Sequence, residues 1–190
     1  KFAPTPHVRE GWDTGVLAAI AAELGDLPLA LHMAGSYLAQ VAYDMSPAAY
    51  LAQLRRPNLL DHISMQTGDF SPTGHELHVA RTFALSYGRL DSMADVDVTA
   101  QHILACIAHF APGEPIPRGL LRRTAGLVGE EEAGLAAAAL GRLVNLGLIE
   151  EEAEGNLRLH RLVQRFVAAA LGEKVAQAQR AVEMSMLAEA

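Results

Sequence analysis

Apolar residues recur along this chain at the three-and-four spacing of helices, and the breaks between runs fall on Gly, Pro, Ser and Asp. The first run places Val16, Leu17, Ile20, Ala21 and Leu24 on one face. Asp13 or Thr14 can cap it, and Gly25 supplies a left-handed stop. Pro28 suits the first turn of a second helix, where its missing N–H costs nothing, and Leu31, Ala34, Leu38 and Val41 continue it. Ser46 and Pro47 repeat the start signal for a short third helix carrying Tyr50, Leu51 and Leu54. From Arg55 to about Gly74 the turn formers Pro57, Asn58, Gly68, Asp69, Ser71 and Pro72 predict a long surface connection, with one helical turn over 59–63 and a domain boundary.

Beyond that connection, Ala80, Phe83, Ala84 and Tyr87 form one helical stripe. Ile103, Leu104, Ile107 and Phe110 form another, ending at Ala111, Pro112 and Gly113. Pro115 and Pro117 force an extended link before a short helix with Leu120 and Leu121. Glu130, Glu131 and Glu132 suit the positive end of a longer helix bearing Leu135, Ala139, Leu143 and Leu146, with Gly147 as its stop. The period then changes. Leu148 and Ile149 lead through acidic residues to Gly155 and Asn156, and Leu157 to Leu159 return, which predicts a short hairpin turning at Gly155 and Asn156. A helix with Leu162, Val163, Phe166 and Val167 follows and stops at Gly172. Three helices, a hairpin and a helix are the order of a winged-helix unit. Val175, Ala178, Val182 and Met186 share a face of a last helix, which a cut at this point would leave in search of a partner.

The expected fold is therefore mainly α: a helical bundle followed by a winged-helix domain with a short β-hairpin. The expected divisions are a helical domain with a preceding linker over 1–70, the winged-helix domain over 71–172, and the first helix of a following helical region over 173–190. No fixed-period repeat is evident, and the alanine run from Ala136 to Ala139 reads as close helix packing.

A 190-residue chain that is 51% hydrophobic and 19% charged suits one ordinary globular domain or two small ones and excludes a disordered or fibrous chain. Its net charge of −7 disfavours a non-specific phosphate-backbone binder, because such binding draws on cationic side chains. Apolar runs all fall short of the roughly 18 residues that span a bilayer, and the start lacks the zones of a secretory signal. The expected setting is soluble and cytoplasmic. The single cysteine, Cys106, forms no internal disulfide, in keeping with a reducing compartment. A first residue of Lys1 is compatible with a piece of a longer chain.

Candidate chemistry is sparse. His75 and His78 stand three apart, and His102 and His109 about two turns apart, but neither pair has a convincing third ligand, so no metal site is expected. Cys106 lies in an apolar helix without an activating cation and reads as a core thiol. Ser36 lacks the G-x-S-x-G elbow of a hydrolase, and the two runs of three glutamates read as solvated faces. There is no P-loop and no G-x-G-x-x-G, so no complete nucleotide site and no catalytic residue is assigned. In a DNA-binding winged helix the helix before the hairpin enters the major groove. Here that helix holds three Glu against Arg142, which faces phosphates unfavourably. Basic residues gather instead at Arg118, Arg122 and Arg123 and at Arg158, Arg161 and Arg165, where helix salt bridges and contact with a diphosphate are both open. A winged-helix transcription factor or a protein-docking module without a nucleotide role is the alternative reading.

Several motifs together carry a resemblance. The string Leu24-Gly25-Asp26-Leu27-Pro28-Leu29-Ala30-Leu31 resembles the G-L-P-L-A motif of the NB-ARC group of STAND signalling NTPases, and its continuation through Ala34-Gly35-Ser36-Tyr37-Leu38 to Ser46 and Tyr50-Leu51 resembles the bacterial members. Arg81-Thr82-Phe83-Ala84-Leu85-Ser86-Tyr87 is similar to their T-W-x-L-S helix with Phe83 for Trp, and Ile116-Pro117 with Leu120-Leu121 is similar to the link after it. Leu148-Ile149 and Leu157-Arg158-Leu159-His160-Arg161-Leu162-Val163-Gln164 resemble the hairpin and the M-H-D-like segment. The likeness covers about 13–172.

This resemblance implies a regulatory arm that closes over bound ADP, with exchange to ATP favouring an open, homo-oligomerising state. Its partners would be the chain's own upstream nucleotide-binding domain, which holds the P-loop and Walker B residues, and a downstream helical sensor region. It also implies that Pro28, with Leu29 beside it, packs near the adenine, and that His160 donates to the β-phosphate of ADP. One departure stands out. Arg161 occupies the acidic third place of the M-H-D form, so a lock built on that carboxylate does not transfer.

Overall fold

Capping and proline chemistry set the starts of the first helices. The computed structural model describes residues 12–60 and 74–187. Helix α1 (Thr14–Glu23) is capped by Asp13, whose carboxylate accepts from the Gly15 amide at 2.8 Å. Its exit turns through Gly25 and Asp26, both at positive φ, into α2 (Pro28–Val41), where Pro28 occupies the first helical position. Helix α3 (Pro47–Leu54) starts under the Ser46 hydroxyl, which accepts from Ala49 at 3.2 Å. Tyr37 of α2 and Tyr50 of α3 bring their rings to 5.0 Å. A turn occupies 57–60. The rest of the expected helical turn and the expected 70/71 boundary lie outside the described residues.

Beyond the connection come α4 (His75–Tyr87), α5 (Asp95–Ile107), α6 (Arg118–Thr124) and α7 (Glu130–Asn145). The hairpin strands β1 (Glu150–Glu151) and β2 (Leu157–Arg158) follow, then α8 (Arg161–Leu187). The strands pair antiparallel, Glu150 opposite Arg158 and Glu151 opposite Leu157. Among the described residues the chain is mainly helical, as its apolar spacing predicts, with a two-stranded sheet.

Three local features differ from the sequence reading, and one at Gly172 refines it. The hairpin turns through Ala153–Gly155 rather than at Gly155 and Asn156, with Glu154 at φ 66° and Gly155 at φ 76°. Between the two prolines, Ile116 exchanges both backbone hydrogen bonds with Leu157, at 2.7 and 2.9 Å, so the extended link adds an isolated bridge on the free side of β2. At Gly172 (φ 1°, ψ −76°) the backbone leaves helical geometry, so α8 is two helical stretches meeting at a kink, where the sequence places a stop. The face beyond the kink already has its partner: Ala178 and Val182 are buried in the core and this helix packs on α5.

Helix α4 packs against α2 and α3 on one side and α8 on the other, and α5 packs against α7 and α8. Phe83 of α4 and Phe166 of α8, both fully buried, lie 5.7 Å apart between ring centres. Helix α2 also meets the end of α7 directly. There Gly147 takes φ 69° as the helix stop, and a Cβ on it would lie 3.0 Å from Met33 Cα. The buried apolar residues on both sides of the connection thus form one continuous core.

Candidate functional site

The three residues singled out for nucleotide contact sit at helix starts. Pro28 is exposed at the head of α2 and Leu29 beside it is half-buried. His160 immediately precedes α8 and caps it: its Nδ1 accepts from the Leu162 amide at 3.1 Å, while its carbonyl accepts from Gln164 N at 2.9 Å. An amide only donates, so Nδ1 carries no proton and the neutral ring holds its proton on Nε2. That Nε2 has no hydrogen-bond partner among the described residues. Burial pushes the imidazole below the ordinary histidine range, Glu150 works against that, and Arg161 and Arg158 reinforce it.

The first turns of α4 touch both regions. His78 lies against Gly25, in the turn that leads to Pro28, at 3.4 Å from where a Cβ on Gly25 would stand. Glu76 pairs at 2.6 Å with Arg165, one turn into α8 beyond His160. No hydrogen bond among the described residues joins Pro28 or Leu29 to His160 itself. Grooves of about 590, 530 and 360 Å³ among the described residues are lined by other groups: at the Gly172 kink beside Tyr87, between Trp12 and Tyr43, and between α5 and the distal part of α8.

Most of the basic residues are committed within the fold. Arg118 binds Glu151 at 2.8 Å and the Gly155 carbonyl at 2.8 Å, so α6 holds the hairpin by its turn. Arg158 spans Glu150 at 2.9 Å and Glu152 at 2.7 Å, and Arg122 donates to the Leu127 carbonyl at 3.2 Å. Arg161 is exposed at the first position of α8. The acidic hairpin residues, read from sequence as a solvated face, are therefore largely counter-ions of these arginines.

Other candidates resolve into structural roles. His102 and His109 place Nε2 against the carbonyls of Ala125 at 3.1 Å and Val175 at 2.6 Å. Cys106 is buried, its thiol pushed up to about 11 by that burial, which leaves it a poor nucleophile. Among the described residues no group of three or more His, Cys, Asp or Glu could hold a metal, and no helix is long and apolar enough to cross a membrane. Sequence reasoning quoted Gln164 within the M-H-D-like segment but gave it no role; its amide donates to the carbonyls of Ala108 (2.5 Å) and Phe110 (3.0 Å), just past the end of α5. Its position on the half-buried side of α8 was visible, but its partners lie more than 50 residues away. Neither a scan against protein-family models nor a search of curated proteins finds a match for the chain.

Proposed function

We infer that this chain is the regulatory arm of a STAND-type signalling ATPase, and that it binds and gates a nucleotide held mainly by another domain. The observation that carries this reading is His160. Its ring is fixed by a helix cap, its remaining N–H is unengaged, and it stands beside a helix start whose amide of Arg161 likewise points out of the helix. Such a corner presents donors to an anionic oxygen, as a β-phosphate would require. Pro28 adds a rigid, exposed apolar ring at a second helix start, a surface suited to a purine.

The chain order supports a winged-helix reading of the second half. Helix α5, the bridge at Ile116, α6, α7 and the hairpin follow one another, and β2 lies between Ile116 and β1. The arginine pairs support a role within the parent protein rather than on DNA, since Arg118, Arg158 and Arg165 are already neutralised by carboxylates. In this reading the arm holds the parent closed around ADP. Exchange to ATP opens it, because only a difference in affinity between the two states moves such an equilibrium. Bond cleavage belongs to the upstream domain, and oligomerisation to the opened parent.

The test is ADP affinity and basal ATPase activity of the intact parent carrying His160→Ala. Weakened ADP binding, by about tenfold for a lost hydrogen bond to a charged group, is expected. Unchanged affinity together with unchanged basal activity overturns the role given to His160.

A further inference from the structure

Three histidines among the described residues make hydrogen bonds through their rings, and they do so in two opposite senses. His102 and His109 face backbone carbonyls, which only accept, so both rings donate through Nε2. A ring carrying both protons still donates there. His160 faces the Leu162 amide, which only donates, so its Nδ1 must be bare. A second ring proton would set two donors against each other and remove the cap.

We propose that His160 is a proton-gated cap of α8: its neutral ring holds the helix start through Leu162, and a proton taken from solvent at Nδ1 breaks that bond and frees the segment joining β2 to α8. The consequence reaches beyond one hydrogen bond, because this segment is short and tied at both ends. Leu157 pairs with Ile116 and Glu151 on one side, and the Leu159 carbonyl accepts from Gly113 at 3.0 Å. On the other side Gln164 holds the end of α5. Loss of the cap loosens this path between its two anchors.

The charges around the ring set where the gate works. Glu150 on β1 favours the second proton, but it is already engaged by Arg158 of β2 at 2.9 Å. Arg158 and, on α8 itself, Arg161 oppose the proton, and so does burial. Glu76 on α4, which packs against α8, is paired with Arg165. The folded ring therefore titrates below its unfolded value. The cap's contribution is complete above the ordinary histidine pKa and is lost as pH falls through the lowered folded value. No nucleotide is needed for this, so the gate stands or falls independently of the function proposed above.

The experiment follows the Leu162 amide by NMR in the nitrogen-15-labelled 190-residue chain, from about pH 8 to about pH 5. Exchange rates are corrected for the intrinsic pH dependence of exchange, and the His160 ring carbons are titrated in parallel. The expected result is an about fivefold loss of Leu162 protection on acidification, the size of a lost cap, with the same midpoint as the ring. His160→Asn keeps an acceptor oxygen but not the proton site, and should hold its protection across the range. Unchanged protection in the native chain, or an equal loss in His160→Asn, overturns the gate. If the Asn variant does not fold, the native titration still decides, since separate midpoints for Leu162 and the ring also overturn it.

Discussion

Glu154 and Gly147 both sit in the left-handed region, yet substitution at each moves stability in opposite directions. Glu154, at φ 66° in the hairpin turn, bears a side chain where glycine is at ease, so Glu154→Gly should raise stability by about 0.5–1 kcal/mol. Gly147, at φ 69°, has no room for a side chain, because the backbone of Met33 lies 3.0 Å from the Cβ position. Backbone cannot step aside as a flexible side chain can. Gly147→Ala should therefore cost about 2–4 kcal/mol, the sum of a left-handed alanine and an overpacked seam. Urea midpoints of the two variants check both values, and a neutral Gly147→Ala would mean that α2 and α7 do not meet this closely. Gly147 was legible in sequence as a helix stop. Its second duty was not, since nothing in the local string says that another helix passes over it.

At the scale of elements, the ends of α4, α5 and α7 are joined by one buried carboxylate. Asp97, in the first turn of α5, accepts from the Asp91 amide at 2.9 Å and from Arg142 of α7 at 3.1 Å, and Arg142 donates in turn to the Arg89 carbonyl at 2.9 Å. Asp97→Ala strips the loop amide and the guanidinium of their acceptor together. The Arg142 side chain keeps about a quarter of its surface in water, which softens the loss, so the expected cost is about 2 kcal/mol rather than the larger figure for a fully buried pair. Chemical denaturation of Asp97→Ala and Arg142→Ala, with the double variant, should give a coupling energy near 1 kcal/mol or above. Additive single effects would show that the pair is incidental. The helices themselves were readable, because apolar spacing and the caps at Asp13 and Ser46 are local signals. Asp97, Gln164 and the Ile116 bridge were not, because each acts on a partner chosen by the tertiary fold. The candidate site divides the same way: His160 was visible as a residue before a helix, but the commitment of its Nδ1 to Leu162, which decides where the proton sits, depends on the backbone path.

For the whole molecule, the decisive fact is that the buried residues before and after the 61–73 connection form one core. Helix α4 is the shared wall, with α2 and α3 on one side and α8 on the other, and Phe83 stands at its centre against Phe166 and Tyr87. Removing that ring should cost about 3–5 kcal/mol. A loss at a shared wall cannot be confined to one side, so Phe83→Ala should lower the transitions of both halves together. The single tryptophan, Trp12, packs at the edge of the core near α1 and reports the first helices by fluorescence, whereas far-UV circular dichroism is dominated by all the helices. In the native chain and in Phe83→Ala the two signals should trace one urea transition with a common midpoint. A fluorescence midpoint that stays in place while the dichroism midpoint falls would mean that the first three helices unfold on their own. In that case a signal arriving at α8 would have no rigid route to the Pro28 turn. Coincident transitions would instead show that the helices before and after the connection fold as one cooperative unit about α4.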